Sequence, residues 1–240
     1  ATNDIDSVEM ASGEAMLAGF DGTLTLVLVV AMMSLGVDWR LACFALLPYS
    51  NRIGHCRFDW QGQTHRTRPN FGDHPHSLHG VGWQRAWTVR SQTAHSVELA
   101  LQHAPDADWP FAFEARQLIA LKGEELRWSL SLHNTDTRVQ PAGLGWHPYF
   151  LHRPGSWLQT EVSGRWEPGP DGLPQARQAQ GVLDAAAAEL RLDHCFDGWS
   201  GEAWISDAQH RLHLCASTWH LVVFTPPGAP TTNVQGIAVD

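Results

Sequence analysis

Lysine is almost absent from this 240-residue chain. Lys122 is the only one, and 16 basic residues stand against 25 acidic ones, a formal net charge of −9. That balance leaves no electrostatic footprint for a phosphate backbone, so nucleic acid is not an expected partner. Cysteine is sparse as well. Cys43, Cys56, Cys195 and Cys215 are the four present, and none forms a Cys-x-x-Cys pair. This argues against a zinc knuckle, a thioredoxin-type motif and a disulfide scaffold. Reduced thiols in a cytoplasmic protein are the expected state. Residues 1–39 contain no Lys or Arg and hold six acids, so the basic region that precedes a signal sequence is missing. Long apolar runs are missing too. The longest, Leu24–Met33, is interrupted by Thr25 and falls short of the ~20 residues a helix needs to cross a bilayer. It reads as a buried strand or a core helix turn, and no membrane contact is expected. Tyrosine occurs only twice, at Tyr49 and Tyr149, each time directly after a proline.

What is present points to a folded domain with a polar site. The chain is 43% hydrophobic, with 21 Gly and 14 Pro, enough for a full core without staples and too apolar for disorder. Trp (12) and His (14) are abundant. Most of the tryptophans are expected to fill a β core. Together with the histidines, some of them suit a site that stacks on apolar faces and exchanges protons.

The hydrophobic pattern is that of strands. Leu126, Trp128, Leu130 and Leu132 alternate with polar residues, the period of a half-buried strand. Pro110–Leu121 reads as its hairpin partner across Gly123, with Phe111, Phe113 and Ala115 on one face. Ser96–Leu101, Arg211–Ala216 and His220–Phe224 read as further short strands. Asp184 followed by the run Ala185–Ala188 predicts one helical turn. Pro168–Gln180, with three prolines and two glycines, reads as a long loop excursion. No internal repeat is evident. A single domain spanning 1–240, a β-sandwich or barrel with few or no helices, is the expected architecture.

Polar residues able to do chemistry concentrate in four strings rich in Gly, Pro and aromatics: Leu47–Ile53, Asn70–Arg85, Gly143–Phe150 and Leu192–Trp199. A metal is the first chemistry to test. His74 and His76 share a face if extended, and His79 and His147 add imidazoles. A cupin-type site needs a Glu soon after the His pair, yet none occurs between His79 and Ser96, and the stretch from Pro141 to His147 is one residue too long for that motif's second half. No metal and no cofactor are therefore expected. A serine hydrolase has still less support, since no Gly-x-Ser-x-Gly elbow occurs. Proton transfer on a polyol remains. Opening a hemiacetal needs one group to take the anomeric hydroxyl proton and another to protonate the ring oxygen, and His suits the acid role near neutrality.

The strings Pro-Tyr-Ser-Asn-Arg-Ile (48–53), Gly-Asp-His-Pro-His-Ser-Leu-His-Gly (72–80), Gly-Leu-Gly-Trp-His-Pro-Tyr-Phe (143–150), Leu-Asp-His-Cys-Phe-Asp-Gly-Trp (192–199) and Phe-Thr-Pro-Pro-Gly-Ala (224–229) resemble, in order, those of the bacterial aldose 1-epimerase (galactose mutarotase-like) family. The resemblance covers roughly residues 41–230, and residues 1–40 match it poorly. It implies a β-supersandwich and cofactor-free interconversion of the α and β anomers of an aldose, with an aldohexose as the small-molecule partner. It implies that His147 is the general acid and His79 a second active-site imidazole. Asn51, Arg52 and Asp193 resemble sugar-binding residues. His76 is placed with them, and is also read, like His74, as a turn and hydrogen-bonding residue. Asp197 is read as a turn residue before Gly198. Arg66, Arg68 and Arg85 are weighed as a phosphate site and read as solvated loop arginines. One departure matters. Where the family carries the Glu that acts as general base, this chain has Gln235, and an amide cannot take a proton usefully. Two functions follow as expectations: an anomerising isomerase impaired at its base, or a carbohydrate-binding protein of the same fold.

Overall fold

Apolar alternation becomes strand wherever the sequence carries it. The computed structural model describes residues 43–150 and 153–225. Among the described residues there are eighteen strands, two single 3-10 turns (Gly54–Cys56 and Ala187–Glu189) and no α-helix. The fold is all-β, as the alternation predicts. The predicted strand or turn at Leu24–Met33 lies outside the described residues.

The strands up to residue 148 are β1 (Cys43–Leu46), β2 (Arg52–Ile53), β3 (Arg57–Trp60), β4 (Gln63–Arg66), β5 (Ser77–Leu78), β6 (Thr88–Gln92), β7 (Ser96–His103), β8 (Phe113–Lys122), β9 (Glu125–Asn134) and β10 (Gly145–Pro148). They are followed by β11 (Trp157–Glu161), β12 (Gly164–Pro168), β13 (Pro174–Ala179), β14 (Val182–Ala186), β15 (Asp193–Asp197), β16 (Glu202–Ser206), β17 (Arg211–Cys215) and β18 (His220–Phe224). The chain packs as two compact units. Phe44–Gly145 belongs to the first, and Cys43 and Trp146 onward to the second, so the division falls inside β1 and β10.

The first unit is built on the antiparallel sheet β6-β7-β8-β9. Strand β8 starts at Phe113 rather than Pro110, because β7 ends at His103, the partner of Phe113. Phe111 is buried all the same, as are Phe113 and Ala115. Strands β8 and β9 close a hairpin through Gly123 and Glu124, with Lys122 opposite Glu125. Leu126, Trp128, Leu130 and Leu132 share one face of β9 and are half-buried, as befits an edge strand. Trp109 is buried, and the ring of Phe58 from β3 stacks on it at 5.2 Å.

The second unit is a sandwich of two four-stranded antiparallel sheets, β14-β11-β16-β17 and β13-β12-β15-β18. Leu158, Ala203 and Ile205 from one sheet pack with Phe196, Leu221 and Val223 from the other in a single cluster that also holds Phe150 and Trp199. This is sheet-on-sheet packing through inward-facing alternate residues. Trp199 lies in that core with its polar edge satisfied: Nε1 donates to Thr160 Oγ1 at 2.8 Å and to the Glu202 carbonyl at 3.0 Å.

Two expectations need correcting. Pro168–Gln180 is not a loop excursion: Pro174–Ala179 forms β13, paired along β12. The turn between them is closed by Gly169 N–H to Leu173 O at 2.8 Å and Gly172 N–H to Gly169 O at 2.9 Å. Every residue of β13 is exposed. An edge strand wet on both faces shows no alternation, so periodicity has nothing to detect, and its one proline stands first, where no ladder hydrogen is missed. The helical turn predicted from Asp184 is shorter than the alanine run suggests. Asp184–Ala186 end β14 in register with β11, and only Ala187–Glu189 turns.

The first and second motif strings are pinned together first of all through the backbone. Leu47 O accepts the N–H groups of Val81 at 2.8 Å and Gly82 at 3.1 Å. Gly80, at φ +67°, passes so close that a Cβ would collide with the Leu47 carbonyl and come within 2.7 Å of Pro48 N. Both the conformation and the close approach require glycine. Gly80→Ala is therefore expected to lower the unfolding free energy by more than ~2 kcal/mol in denaturant titration, whereas Gly62→Ala, at φ +77° with open space around it, costs ~1 kcal/mol.

Candidate active site

In the first unit, three of the motif strings converge. Strand β2 pairs with β5 through Arg52 opposite Leu78 and Ile53 opposite Ser77. Pro48 O accepts Gly143 N–H at 2.7 Å. Asn51 and His79 then lock each other. Asn51 N–H donates to His79 Nδ1 at 3.1 Å, and His79 N–H donates to Asn51 O at 2.8 Å. Both residues sit at φ +59°, a conformation Asn tolerates and His rarely adopts, held here by the pair of bonds. Because Nδ1 accepts, the proton of the neutral His79 ring is on Nε2. Arg52 Nη1 donates to Asn51 Oδ1 at 3.0 Å, which fixes the amide's orientation. Asn51, Arg52 and His79 are thus brought together as one polar cluster.

His76 is held differently. It is fully buried, and its Nδ1 accepts the His55 N–H at 2.9 Å. His74 Nδ1 faces the His76 N–H at 3.4 Å. This matches the hydrogen-bonding reading of His74 and His76 and places His76 as support beneath the loop that carries His79. Tyr49 lies next to this support. It bonds Ser77 and the Gly80 backbone, and burial pushes its phenol up to about 12. Sequence reasoning gave no role to Asn70, which organises the same loop. Its Oδ1 accepts Leu78 N–H at 2.7 Å, and its Nδ2 donates to Leu78 O at 2.7 Å and Gly80 O at 3.2 Å. An Asn that copies the backbone's donor and acceptor pattern is common in turns; its place at the head of the second string was the available signal.

In the second unit the group of interest is His147. It lies near the end of β10, its ring stacked on Tyr149 at 4.6 Å. Its Nδ1 is shut off from water. Burial lowers its pKa to about 4, against a smaller raising effect from a bond to its own backbone and from the nearby Asp193 carboxylate. Desolvation wins because it penalises the whole imidazolium charge. Neutral imidazole is therefore the resting form at pH 7. Asp193 opens β15, opposite Phe224 of β18. The joint is extended by Thr225, whose N–H donates to Leu192 O at 2.7 Å while its Oγ1 accepts Leu192 N–H at 2.7 Å. The fourth string and the start of the fifth are thereby tied together, with Asp193 at the junction. Gln235 lies outside the described residues.

Two secondary readings change. Asp197 does more than shape the turn before Gly198: it takes both Arg177 Nε and Nη2 at 2.7 Å and Trp166 Nε1 at 2.7 Å. The Arg177 guanidinium holds its carboxyl below the usual range. Arg68 and Arg85 are not simply solvated. Arg68 pairs with Asp108 at 2.8 Å, and Arg85 pairs with Asp106 at 2.8 Å and Asp108 at 2.6 Å, leaving neither as an uncommitted charge for a phosphate.

Comparison with known proteins agrees with this arrangement of motifs. Residues 25–239 match the family model described as aldose 1-epimerase. The match begins inside the stretch 1–40, ahead of all five motif strings, and includes position 235. The uncharacterized protein YphB of Escherichia coli K12 is 31% identical over 198 residues, 80% of this chain and 65% of YphB. The crystal structure of a putative aldose 1-epimerase from Escherichia coli K12 superposes with a TM-score of 0.70 at 28% identity, covering 77% of this chain and 66% of that one. Galactose 1-epimerase from Lactobacillus acidophilus NCFM shares the fold, with a TM-score of 0.66 at 18% identity over 81% of this chain and 68% of its own. The chain thus spans about two thirds of the length of the relatives it matches.

The depressed pKa of His147 is also a statement about stability. The unfolded ring binds its proton near pH 6.5 and the folded ring only near pH 4, so between these values the unfolded state holds more protons and stability falls as pH falls. The full effect is at most ~3 kcal/mol, and less to the extent that water reaches the ring edge. Chemical denaturation of the protein and of His147→Gln at pH 7 and pH 4.5 is expected to show a smaller acid-side loss in the variant.

Proposed function

The chain belongs to the aldose 1-epimerase family, and from that premise we propose that it interconverts the α and β anomers of an aldohexose, with His147 as the proton donor to the ring oxygen and with a weakened base. The observation that carries this reading is the half-buried His147, whose Nδ1 is shut off from water and whose charge feels the Asp193 carboxylate. A partly desolvated imidazole under the influence of a carboxylate is a group whose protonation is set by its surroundings, a property typical of acid–base sites.

Ring opening breaks the bond between the anomeric carbon and the ring oxygen. The anomeric hydroxyl gives up its proton, here to solvent water because an amide stands at the base position, the carbonyl forms, and the ring oxygen takes a proton. Reclosure on the other face of the carbonyl gives the other anomer. His147 donates to the ring oxygen, and Asp193 offsets the charge that the ring carries when protonated. His79, with its proton fixed on Nε2 by the Asn51 bond, donates a hydrogen bond to a sugar oxygen. Asn51 and Arg52 supply donors for hydroxyls, as the resemblance implies. Gln235 takes the position of the base. It preserves size and hydrogen bonding but accepts no proton, and losing a general base costs about 10²–10⁴ in rate. The second reading, a binder of sugars without turnover, is favoured by Gln235 alone.

Polarimetry of freshly dissolved α-glucose and α-galactose separates the two. The proposal expects slow but measurable acceleration by the protein, about 10²–10⁴ greater in Gln235→Glu and lost in His147→Gln. Equilibration no faster than the uncatalysed rate, combined with saturable sugar binding, assigns the binder instead.

A pH series adds a sharper expectation. With a pKa of about 4, about one His147 ring in a thousand is protonated at pH 7. The catalysed rate, corrected for solvent, should rise as pH falls from 7 toward 4. Gln235 has no ionisation in that range, so the fall on the acid side appears only in Gln235→Glu.

A further inference from the structure

Away from the residues assigned to sugar chemistry, the β16–β17 hairpin of the second unit carries three side chains of metal-ligand type. Glu202, His213 and Cys215 are all exposed, and one ligand atom from each lies within 4.8 Å of the other two. The strand register explains why they meet. His213 and Cys215 are two apart on β17 and so share a face, and Glu202 on β16 stands directly opposite Cys215. Trp204 stands opposite His213, and the two rings stack at 4.0 Å and 5°. Arg211 places its guanidinium over the Trp204 ring at 4.1 Å. The imidazole is thus seated on a held indole.

We propose that Glu202, His213 and Cys215 form a binding site for a zinc-like divalent cation, with water as the fourth ligand. The distances carry the argument. Zinc binds Cys sulfur at ~2.3 Å, His nitrogen at ~2.05 Å and carboxylate oxygen at ~2.1 Å, so a tetrahedron built on those bonds has edges of about 3.6 Å from S to N and about 3.4 Å from N to O. Cys215 Sγ lies 3.4 Å from His213 Nε2, and His213 Nε2 lies 3.5 Å from Glu202 Oε2. Both edges fall within ~0.2 Å of the tetrahedral values. Sγ lies almost as near Nδ1, at 3.7 Å, so Cys215 turns at the surface toward the Nε2 side to take the ion, and the same rotation closes the third edge, between Cys215 and Glu202, which is bounded at 4.8 Å.

A proton-relay triad is the competing use of these residue types, and its geometry differs. A relay needs the thiol on one ring nitrogen and the carboxylate on the other, with the imidazole passing the proton between them. Here the carboxylate contact falls on Nε2, and Sγ lies 3.4 Å from Nε2 and 3.7 Å from Nδ1, beside the ring and aligned with neither nitrogen, so the thiol does not stand out along Nδ1 as a relay requires. Strand β17 is at the edge of its sheet, so a cation reaches the site without opening the fold. The donor set of one thiolate, one imidazole and one carboxylate favours zinc over magnesium or calcium, which prefer oxygen alone. The absence of a metal expected from sequence rested on His74, His76, His79 and His147, and this hairpin was not part of that weighing.

The test uses the tag-free full chain with zinc chloride and cobalt chloride. Titration against a chromophoric chelator is expected to show one zinc bound per chain at micromolar or tighter affinity. Cobalt is expected to give a thiolate-to-metal charge-transfer band and tetrahedral ligand-field absorption. Cys215→Ser should abolish the charge-transfer band. His213→Gln and Glu202→Gln should each weaken zinc at least ~10-fold, since even supporting groups cost a metal site that much. All three positions are exposed, and near-ultraviolet circular dichroism checks that the variants remain folded. No zinc bound at micromolar concentration overturns the proposal, as does a charge-transfer band that survives Cys215→Ser. Unchanged affinity in Glu202→Gln overturns the three-ligand site.

Discussion

The first unit depends on one carbonyl. Leu47 O takes two backbone N–H groups from the segment after Gly80, and the approach is so close that only glycine fits between the two chains. This contact sets the spacing of Tyr49, Asn51 and Arg52 from Ser77 and His79. Once it is made, β2 can pair with β5, Asn51 can exchange hydrogen bonds with His79, and Asn70 can tie the ends of the loop. The left-handed backbone at Asn51 and His79 is stabilised by the same bonds. Two residues in a sparsely populated conformation, each bonded to the other, place their side chains with little freedom. The proposed role in holding a sugar would draw on that rigidity, because hydrogen bonds to hydroxyls reward fixed donors.

The second unit solves a different problem. His147, on β10, is half-buried with its Nδ1 shut off from water, and its pKa falls well below that of a free imidazole. The neutral ring is thus the default state, and the carboxylate moderates the effect without reversing it. The consequence for chemistry is that the proton is scarce at neutral pH but strongly acidic when present. In the proposed mechanism Gln235 sharpens this imbalance, since an amide then stands where a base is needed.

Much of this was legible in the residues. The alternation at Leu126–Leu132 gave β9, and the apolar run at His220–Phe224 gave β18, because a buried or half-buried strand must repeat every two residues. The fully exposed β13 was illegible for the converse reason: with both faces wet, nothing in its pattern distinguishes it from a loop. The grouping of Asn51, Arg52 and His79 was legible only as neighbouring motif strings, and the bonds that join them were not. Arg68, Arg85 and Asp197 found ion-pair partners 40, 21 to 23 and 20 residues away, and no local motif announces such pairing. The Glu202–His213–Cys215 cluster is equally silent in sequence, because it exists only across a strand register.

The sequence by itself determined the strand-forming segments, the glycine that permits the Leu47 contact, the amide at position 235 and membership of a family with a known chemistry. Each of these is a property of one residue or of a short run, and it survives in the unfolded chain. The tertiary structure alone decided the depressed pKa of His147, the Nε2 tautomer of His79, the burial of His76 and the gathering of Glu202 and Cys215 around the His213 ring. Desolvation and hydrogen-bond geometry are sums over neighbours brought from distant parts of the chain. They have no value until those neighbours are in place.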